Sequence, residues 1–396
     1  MPADASAFVS DAATELLAGV VKRPSRLADG RELIYFDDAE TTLPAERRID
    51  ARELDARPGT ATMRRDVLTG EWITVAANRQ NRAMLPPAEL DPLAPQSETN
   101  PSEVPDQYDV AVFENRSPSL GPALARAAGD APAAEDAPRD LDDLIAPGIG
   151  RTRTAVGRCE VVCFSPERTG SFGTQTVRRA RTVIEAWADR TMHLGALPGV
   201  QQVFPFENRG EQIGVTLQHP HGQIYAYPYI TPRTRALLTQ IDLEGADLFA
   251  RIVDLEDAGP RVVLSAEHWL AYVPFAARWP VEVHLVPRRH AADFAELTSP
   301  ERDELARVYL RLLRGVDALY ETPTPYIAAW HQAPVSVGRE SVRMHLQLTS
   351  PRRGADKLKF LAGSEAAMGA WTAEIPPEVG AERLRAALAA VGEVTT

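Results

Sequence analysis

The stretch QHPHGQIYAYPYI, residues 218–230, holds the side chains of this sequence that are best suited to chemistry. His219, His221 and Gln223 alternate, and side chains two positions apart on a regular strand share one face at a spacing of about 7 Å. Imidazole can ligate a metal, transfer protons or attack phosphorus as a nucleophile. A nucleophilic imidazole needs an acceptor at its second ring nitrogen, so that the attacking nitrogen keeps its lone pair. The stretch therefore predicts a strand that presents two imidazoles and a carboxamide to a ligand.

Length and charge narrow the class of protein. The chain has 396 residues, which is enough for two domains or one enlarged domain. Its 43 basic and 55 acidic residues give a net charge of −12, which argues against nucleic acid and anionic membranes as partners. We expect no membrane span and no signal peptide, because no apolar run has the required length or flanks. The two cysteines, Cys159 and Cys163, exclude a disulfide framework, and we expect the cytoplasm as the compartment.

The apolar pattern around the histidines predicts the elements that position them. Alternating residues on both sides of Leu68-Thr69-Gly70 predict a hairpin over 63–79. A helix is predicted from Thr174 to Gly195, since its apolar residues lie near one face. Strands are predicted at 32–36, 159–165, 200–208, 214–217 and 223–228.

The second half of the chain repeats this order. Strands at 281–287, 326–334 and 342–348 accompany a helix that begins at Ser299-Pro300. The last strands of the two halves carry similar runs, His221-Gly222-Gln223-Ile224 and His345-Leu346-Gln347-Leu348, and Arg343 stands where the first copy has His219. This pattern favours an internal duplication of an α+β unit, in which one copy keeps the full chemistry.

Domain limits follow from the duplication and from changes in composition. We predict an N-terminal extension over 1–60, a first domain over 61–230 that carries the pentad HPHGQ, and a second domain over 231–396. Residues 121–150 are rich in Ala, Pro, Asp and Gly without a sustained apolar period, which predicts a flexible insertion.

The pentad His219-Pro220-His221-Gly222-Gln223 resembles the active-site signature of the galactose-1-phosphate uridylyltransferase family, in the histidine-triad superfamily. The resemblance extends over roughly residues 65–395 through LTGEWITVAANRQNR (68–82), VFENR (112–116), RCEVVCFSPER (158–168), VFPFENRG (203–210), EHWLAYVPFAARWP (267–280), AAWHQAP (328–334) and KLKFLAGSE (357–365). It implies an α+β fold of two tandem histidine-triad-like domains, each an antiparallel-rich sheet with helices packed on it. It also implies a homodimer and ping-pong transfer of a uridylyl group.

Matched position by position, the resemblance assigns roles to residues of the site. His221 is the nucleophile that forms a uridylyl–histidine intermediate, Gln223 binds the transferred phosphoryl oxygens, and His219 completes the catalytic set. The substrate-binding matches are Arg79, Arg82, Asn208 and Thr216 near the phosphates, Asn115 at the uridine, and Lys359, Phe360 and Glu365 over the hexose, where they could belong to the other subunit.

The metal ligands of the family are largely missing from this sequence. Family members often bind zinc through a Cys-x-x-Cys pair and two histidines, and the corresponding residues here are Asp91, Ala94, Arg168 and His219. We therefore predict no zinc and no cofactor, and an Asp91–Arg168 ion pair in place of the metal, with a hydrogen bond to His219 as a further element. The alternative is a mobile, unbraced loop over 84–107.

A second metal site of some relatives is also incomplete. His331 and His345 match two of its histidines, whereas Gln347 replaces the third and Leu237 falls near the position of its glutamate. Two ligands do not make a dedicated site. Whether His331 and His345 hold a residual metal is left open.

The leading hypothesis is a hexose-1-phosphate uridylyltransferase that exchanges UDP-glucose and galactose 1-phosphate. Its partners would then be a nucleotide sugar and a sugar 1-phosphate. Because Ser364 and Trp371 depart from the family in the sugar-contacting segment, the alternative is a nucleotidylyltransferase or nucleotide phosphorylase that acts on another sugar 1-phosphate. A hypothesis of a different class is a non-catalytic protein that binds nucleotide sugars.

Overall fold

One large antiparallel sheet runs through the molecule, and helices pack on it. The computed structural model describes residues 13–81, 85–122, 139–140 and 150–394. The strands are β1 Thr14–Glu15, β2 Val21–Arg26, β3 Glu32–Asp37, β4 Thr62–Arg65, β5 Trp72–Val75, β6 Val110–Glu114, β7 Arg139–Asp140, β8 Arg151–Thr154, β9 Arg158–Cys163, β10 Gln202–Arg209, β11 His221–Tyr227, β12 Val262–Ser265, β13 Trp269–Tyr272, β14 Val281–Pro287, β15 Tyr326–His331, β16 His345–Ser350, β17 Arg352–Gly354 and β18 Lys357–Leu358. The helices are α1 Val177–Gly195, α2 Pro232–Glu244, α3 Leu248–Asp257, α4 Ser299–Ala318, α5 Gly363–Met368 and α6 Pro377–Val391.

The predicted duplication is confirmed by the order of the strands. Over the described ranges, the main sheet has twelve strands in the order β1-β2-β3-β6-β9-β11-β10-β15-β16-β14-β13-β12. In the first unit, β9, α1, β10 and β11 follow one another, and β11 lies between β9 and β10. In the second unit, β14, α4, β15 and β16 do the same, and β16 lies between β14 and β15. The units join where β10 pairs with β15, so their two sheets form one.

The core lies on the face of the sheet that α1 and α4 cover. Trp187 of α1 packs against Phe172, Phe294 and Trp330 with ring centroids 5.6, 5.3 and 6.1 Å away. Helix α4 begins at Ser299 as predicted, with Thr298 and Glu301 forming a capping box before it.

Helix α1 begins later than the sequence predicted. The predicted start, Thr174, ends a short 3₁₀ turn at Phe172–Thr174, and α1 follows at Val177. The hydroxyl of Thr176 caps the helix by accepting from the backbone N–H of Arg179 at 3.1 Å. The predicted start was thus two residues before the threonine that caps the helix, because the 3₁₀ turn uses Thr174.

The opposite face of the sheet differs between the two units. In the second unit α2 and α3 cover it, and Ile241 and Phe249 pack with Ala292, Ala333 and Val342. In the first unit that face opens as a cleft in front of β11. The same strand framework therefore supports a covered face and an open one.

Several predictions about the N-terminal half can be compared directly with the structure. Strand β3 and the β4–β5 hairpin confirm the predicted strand at 32–36 and the predicted hairpin at 63–79, and β1 to β3 extend the main sheet. The strand predicted at 214–217 is wrong. This segment is a loop after a 3₁₀ turn at Glu211–Ile213, because Gly210 and Gly214, at φ of 102° and 82°, turn the chain away from a sheet. Of the predicted insertion, 123–138 and 141–149 lie outside the described residues.

Within the part of the chain that the structure describes, no helix is both long enough and apolar enough to cross a membrane.

Candidate active site

Strand β11 presents alternate side chains to the cleft. His221, Gln223 and Tyr225 are half-buried on the open face, whereas Gly222, Ile224 and Ala226 are buried on the face that α1 covers. The period of two therefore places the second histidine and the carboxamide of the pentad side by side, as predicted.

Gly222 fixes how closely β11 approaches its neighbours. A Cβ atom at this position would lie 2.8 Å from Cζ of Phe164 and 2.9 Å from the backbone oxygen of Phe206. Neither the packed ring nor the strand backbone has room to move by the required amount. Glycine is thus required between His221 and Gln223, and it holds both side chains at a fixed depth in the cleft.

The backbone of the pentad sets the tautomer of His221. Its Nδ1 lies 2.7 Å from the carbonyl oxygen of His219. A carbonyl oxygen accepts and cannot donate, so Nδ1 carries the hydrogen, and in the neutral ring Nε2 carries the lone pair. This is the arrangement that a nucleophilic imidazole requires.

The first histidine of the pentad lies off the strand. β11 begins at His221, so the expectation that His219 shares the strand face is wrong. Its imidazole is completely buried, with Nδ1 2.8 Å from Oδ2 of Asp91 and Nε2 2.7 Å from the carbonyl oxygen of Ser165. Pro220, between the two histidines, has no N–H to donate to a neighbouring strand, so β11 begins only after it, at His221. The ring of His219 therefore contacts protein groups, and the residue borders only the second of the two clefts that meet at His221.

Two clefts meet at His221. The cleft in front of β11 is lined by the predicted residues Arg79, Asn115, Asn208, Thr216, His221 and Gln223. A second cleft shares Asn208, Val215, Leu217 and His221 with the first and adds three arginines, Arg168, Arg209 and Arg352. His221 thus lies where ligands in either cleft can be reached. Among the described residues, the buried side-chain oxygen of Gln223 has no hydrogen-bond partner, so it can accept from a donor group of a ligand.

Three predicted substrate-binding residues lie elsewhere. Lys359, Phe360 and Glu365 line neither cleft that reaches His221. Lys359 Nζ lies 2.8 Å from Oε1 of Glu365, and Phe360 is 79% exposed. The hydrogen bond and charge of Lys359, with two backbone N–H donors, lower the pKa of Glu365 to about 2. A further predicted substrate-binding residue, Arg82, lies outside the described residues.

The residues at the family's zinc positions do not fit a metal ion. Both ring nitrogens of His219 face oxygen acceptors, so neither offers a lone pair. Ala94 has no ligand atom, and Arg168 donates to the carbonyl oxygen of Pro86 at 3.2 Å. In the described part of the chain, no three His, Cys, Asp or Glu side chains form a metal-binding group.

The predicted Asp91–Arg168 ion pair is wrong. Asp91 pairs with His219 instead, and the described residues contain no ion pair between Asp91 and Arg168. Burial acts to raise the pKa of Asp91, but the hydrogen bond and the charge of His219 outweigh it and lower the pKa. The more distant charge of Arg168 adds to this effect. The predicted hydrogen bond to His219 is thus present without the ion pair.

Three residues of the site region were missed by sequence reasoning. The hydroxyl of Tyr108 lies 3.1 Å from Nε2 of His219, and the carbonyl oxygen of Ser165 accepts from the same nitrogen. Arg31 lines the cleft, and its guanidinium is fully buried by contacts with Asp29, Glu103 and Glu114. A buried arginine inside a strand-rich segment gives no periodic signal, so only the structure reveals it.

The incomplete second metal site of the sequence is a stack of imidazoles. His331 lies 5.0 Å from His345 between ring centroids, and His284 lies 5.7 Å from His345 on the other side. Burial, with the nearby His284, lowers the pKa of His345 to about 3, which keeps the ring neutral. Gln347 donates to Glu282 at 2.6 Å. The cluster is a packed part of the interior.

Two family models match the chain. The "Galactose-1-phosphate uridyl transferase, N-terminal domain" covers residues 53–231, and the C-terminal domain of the same name covers residues 238–395. Together with the duplicated unit and the histidine of β11, these matches define a nucleotidyltransferase built from two histidine-triad-like units.

Individual relatives agree with this class. A galactose-1-phosphate uridylyltransferase of Streptomyces lividans is 41% identical over 385 residues, which is 92% of this chain and 97% of the relative. One from Thermotoga maritima is 32% identical over 82% of this chain and 97% of its own length. The chain belongs to the galactose-1-phosphate uridylyltransferase family. A solved structure of a uridylyltransferase mutant is similar at a TM-score of 0.71 and 28% identity, over 84% of this chain and 100% of that chain.

Proposed function

We propose that the protein transfers a uridylyl group between UDP-glucose and galactose 1-phosphate through a covalent intermediate on His221. The observation that carries the proposal is the hydrogen bond from Nδ1 of His221 to the carbonyl oxygen of His219, because it leaves the lone pair on Nε2. The family membership and the names of the relatives support the substrates.

The reaction consists of two displacements at phosphorus. Nε2 of His221 attacks the α-phosphorus of UDP-glucose, a P–N bond forms, and the bond to the bridging oxygen breaks, so glucose 1-phosphate leaves. A phosphate oxygen of galactose 1-phosphate then attacks the same phosphorus, the P–N bond breaks, and UDP-galactose forms. Each step exchanges one bond for another, so one histidine serves both steps.

The surrounding residues supply orientation and charge. Among the described residues, the guanidinium of Arg79 donates to the carbonyl oxygen of Ser117 at 3.5 Å, and its other donors suit phosphate oxygens. Asn208 on β10 and Thr216 in the following loop line the same cleft. The amide of Gln223 donates to the phosphoryl oxygens without giving up a proton, which favours transfer over hydrolysis. Asn115, which lines the same cleft, suits the uracil edge.

We also propose that the site is completed in a homodimer. Lys359 and Glu365 hold the segment that includes Phe360, which is largely exposed on this chain. An exposed aromatic side chain beside a fixed ion pair suits a contact with the cleft of a second copy. The domain limits of 61–230 and 231–396 and a cytoplasmic location belong to the same proposal; the two cysteines, both free and buried, support a reducing compartment.

The experiment that tests the function is mass analysis after incubation with UDP-glucose. We expect the denatured protein to gain one UMP, located on His221, and to pass it to galactose 1-phosphate. A panel of other sugar 1-phosphates and inorganic phosphate distinguishes the alternatives, since transfer only to one of these would exclude the galactose assignment. Binding of UDP-glucose without any adduct would support a non-catalytic protein instead.

A further inference from the structure

The buried imidazole of His219 acts as a double hydrogen-bond donor. Nδ1 lies 2.8 Å from a carboxylate oxygen of Asp91, and Nε2 lies 2.7 Å from the carbonyl oxygen of Ser165. Since both partners accept, both ring nitrogens donate. We call Asp91, His219 and the Ser165 carbonyl the His219 cluster.

The His219 cluster is tied into the loop before β6. A carboxylate oxygen of Asp91 accepts from the backbone N–H of Leu93 at 3.0 Å, and its backbone oxygen accepts from the side chain of Asn100 at 2.8 Å. The hydroxyl of Tyr108 lies 2.7 Å from the carbonyl oxygen of Leu93 and 2.9 Å from that of Ser165. Three separate segments thus meet at one buried imidazole, and each polar atom has a partner, as a buried ion pair requires.

The second unit contains an equivalent connection that cannot involve a metal. Arg343, two residues before His345, donates to the carbonyl oxygen of Arg288 at 2.7 Å. Leu346 pairs with Leu285, so the register places Arg288 two residues beyond the partner of His345. Ser165 likewise lies two residues beyond Cys163, the partner of His221. In both units, therefore, a donor side chain two residues before the strand histidine binds the backbone at the same place.

The connection matters because the backbone of His219 sets the tautomer of His221. The carbonyl oxygen that accepts from Nδ1 of His221 is that of His219, and the side chain of His219 is held by Asp91 and Ser165. If residue 219 shifts, Nδ1 loses its acceptor, and the tautomer with hydrogen on Nε2 has no lone pair there for attack.

We propose that Asp91 and His219 are positioning residues that hold the His219 carbonyl against His221 without a metal ion. Asp91 takes the place of a metal ion at the ring of His219. Its carboxylate accepts from Nδ1, while the carbonyl oxygen of Ser165 accepts from Nε2. The kinetic part of this proposal rests on the proposed function; the tautomer of His221 does not.

The first test is nitrogen NMR of the free enzyme labelled in its eight histidines, with assignment by single substitutions. We expect His221 with hydrogen on Nδ1 alone and His219 with hydrogen on both nitrogens. In Asp91→Ala, His221 should become a mixture of tautomers. Asp91→Asn keeps the shape and one acceptor oxygen, so it should retain most of the Nδ1–H form and serves if the alanine variant does not fold.

The second test separates positioning from binding. We expect Asp91→Ala to lower the rate constant of uridylyl transfer to His221 by about 100-fold, with little change in KM for UDP-glucose, because a small misplacement of a reacting group has an effect of this size. Asp91→Asn should recover most of the rate. The matched control is Glu98→Ala, at an exposed position on the same loop, and its transfer rate constant and KM should equal those of the wild type.

Metal analysis and the tautomer of His221 can each contradict the proposal, whatever reaction the protein catalyses. Stoichiometric zinc, removed by a chelator together with activity, would overturn it. An unchanged His221 tautomer in Asp91→Ala would also overturn it, as would loss of the Nδ1–H form in Asp91→Asn if the alanine variant does not fold. If the unchanged enzyme forms no UMP adduct but shows the expected tautomers, the proposed function fails while the role of the His219 cluster stands.

Discussion

His221 and His345 occupy equivalent strand positions in the two units, and their rings are held alike. Each Nδ1 faces the carbonyl oxygen two residues earlier, at 2.7 Å from that of His219 and at 3.0 Å from that of Arg343. Both units therefore share this tautomer, and in both the side chain two residues earlier is bound to the neighbouring backbone. The tautomer does not by itself distinguish a reactive histidine from a structural one.

The surroundings make the difference. His221 and Gln223 face an open cleft, whereas His345 lies under α3, with Phe249 at 5.4 Å between ring centroids. The amide of Gln347 donates to Glu282, whereas the buried oxygen of Gln223 has no partner in the described part of the chain. The two histidines share a tautomer. The candidate site differs in that His221 faces an open cleft and the oxygen of Gln223 is available to a ligand.

The largest expected effect comes from substituting each of the two histidines in turn. His221→Ala should lower transfer by at least about 10⁴-fold, because it removes the atom that bonds to phosphorus. His345→Asn, which keeps a donor for the Arg343 carbonyl, should leave transfer within about threefold of the unchanged enzyme, since it touches no cleft residue. Rates of UMP incorporation measure both. Comparable losses in the two variants would remove the distinction between the units.

The next effect concerns the two glutamines. Gln223→Ala should lower transfer by about 10²–10³-fold, the range found when one preorganised donor to a developing charge is removed. Gln347→Ala should leave transfer nearly unchanged and lower stability, since it deprives buried Glu282 of a donor. Single-turnover rates and urea unfolding together check the pair. A rate loss for Gln347→Ala as large as that for Gln223→Ala would contradict the assignment.

A smaller effect is expected at the strand that joins the units. Burial raises the pKa of Glu207 to about 7, against a hydrogen bond from Tyr326, while the ordinary value is 4.5. The folded protein holds this proton where the unfolded chain has lost it, so stability falls as the pH rises from 4.5 to 7. Glu207→Gln should remove that loss and add about 3 kcal/mol to the free energy of unfolding at pH 8, with little gain at pH 4. Glu98→Gln serves as the exposed control, and an equal gain at both pH values would speak against the buried carboxyl.

The smallest effect comes from the imidazole stack. Because the pKa of His345 is lowered from 6.5 to about 3, the unfolded chain binds the proton first, and stability is lost as the pH falls below 6.5. His345→Asn should therefore reduce the loss of stability between pH 7 and pH 5 by about 2 kcal/mol. Urea titrations at the two pH values measure it, with His268→Asn as the control. No difference in acid sensitivity between the variants would show that the ring is accessible to protons.

Local patterns were sufficient for much of the fold and part of the site. The alternation in the pentad placed His221 and Gln223 on one face, and the repeat of strand, helix and strand predicted the two units. The errors at Thr174 and at 214–217 have local causes, namely a 3₁₀ turn before α1 and two glycines with positive φ. Short apolar runs cannot distinguish these from regular elements.

The partner of His219 could not be predicted from such patterns. Asp91 and His219 are 128 positions apart, and their contact depends on the path of an irregular loop. From the sequence, the charge of Arg168 made it the expected partner of Asp91. In the structure a buried imidazole lies closer, and Arg168 binds a carbonyl oxygen instead.

The antiparallel pairing of β10 with β15 has a consequence for how the chain can be divided. Phe206, Glu207, Asn208 and Arg209 face Ala329, Ala328, Ile327 and Tyr326 across this junction. A fragment that ended after the first unit would leave β10 as a new edge strand, with unpaired N–H and C=O groups. Such an edge readily recruits another strand, so each half made alone is expected to self-associate through it. The second unit therefore covers the edge of the first unit through the pairing of β15 with β10.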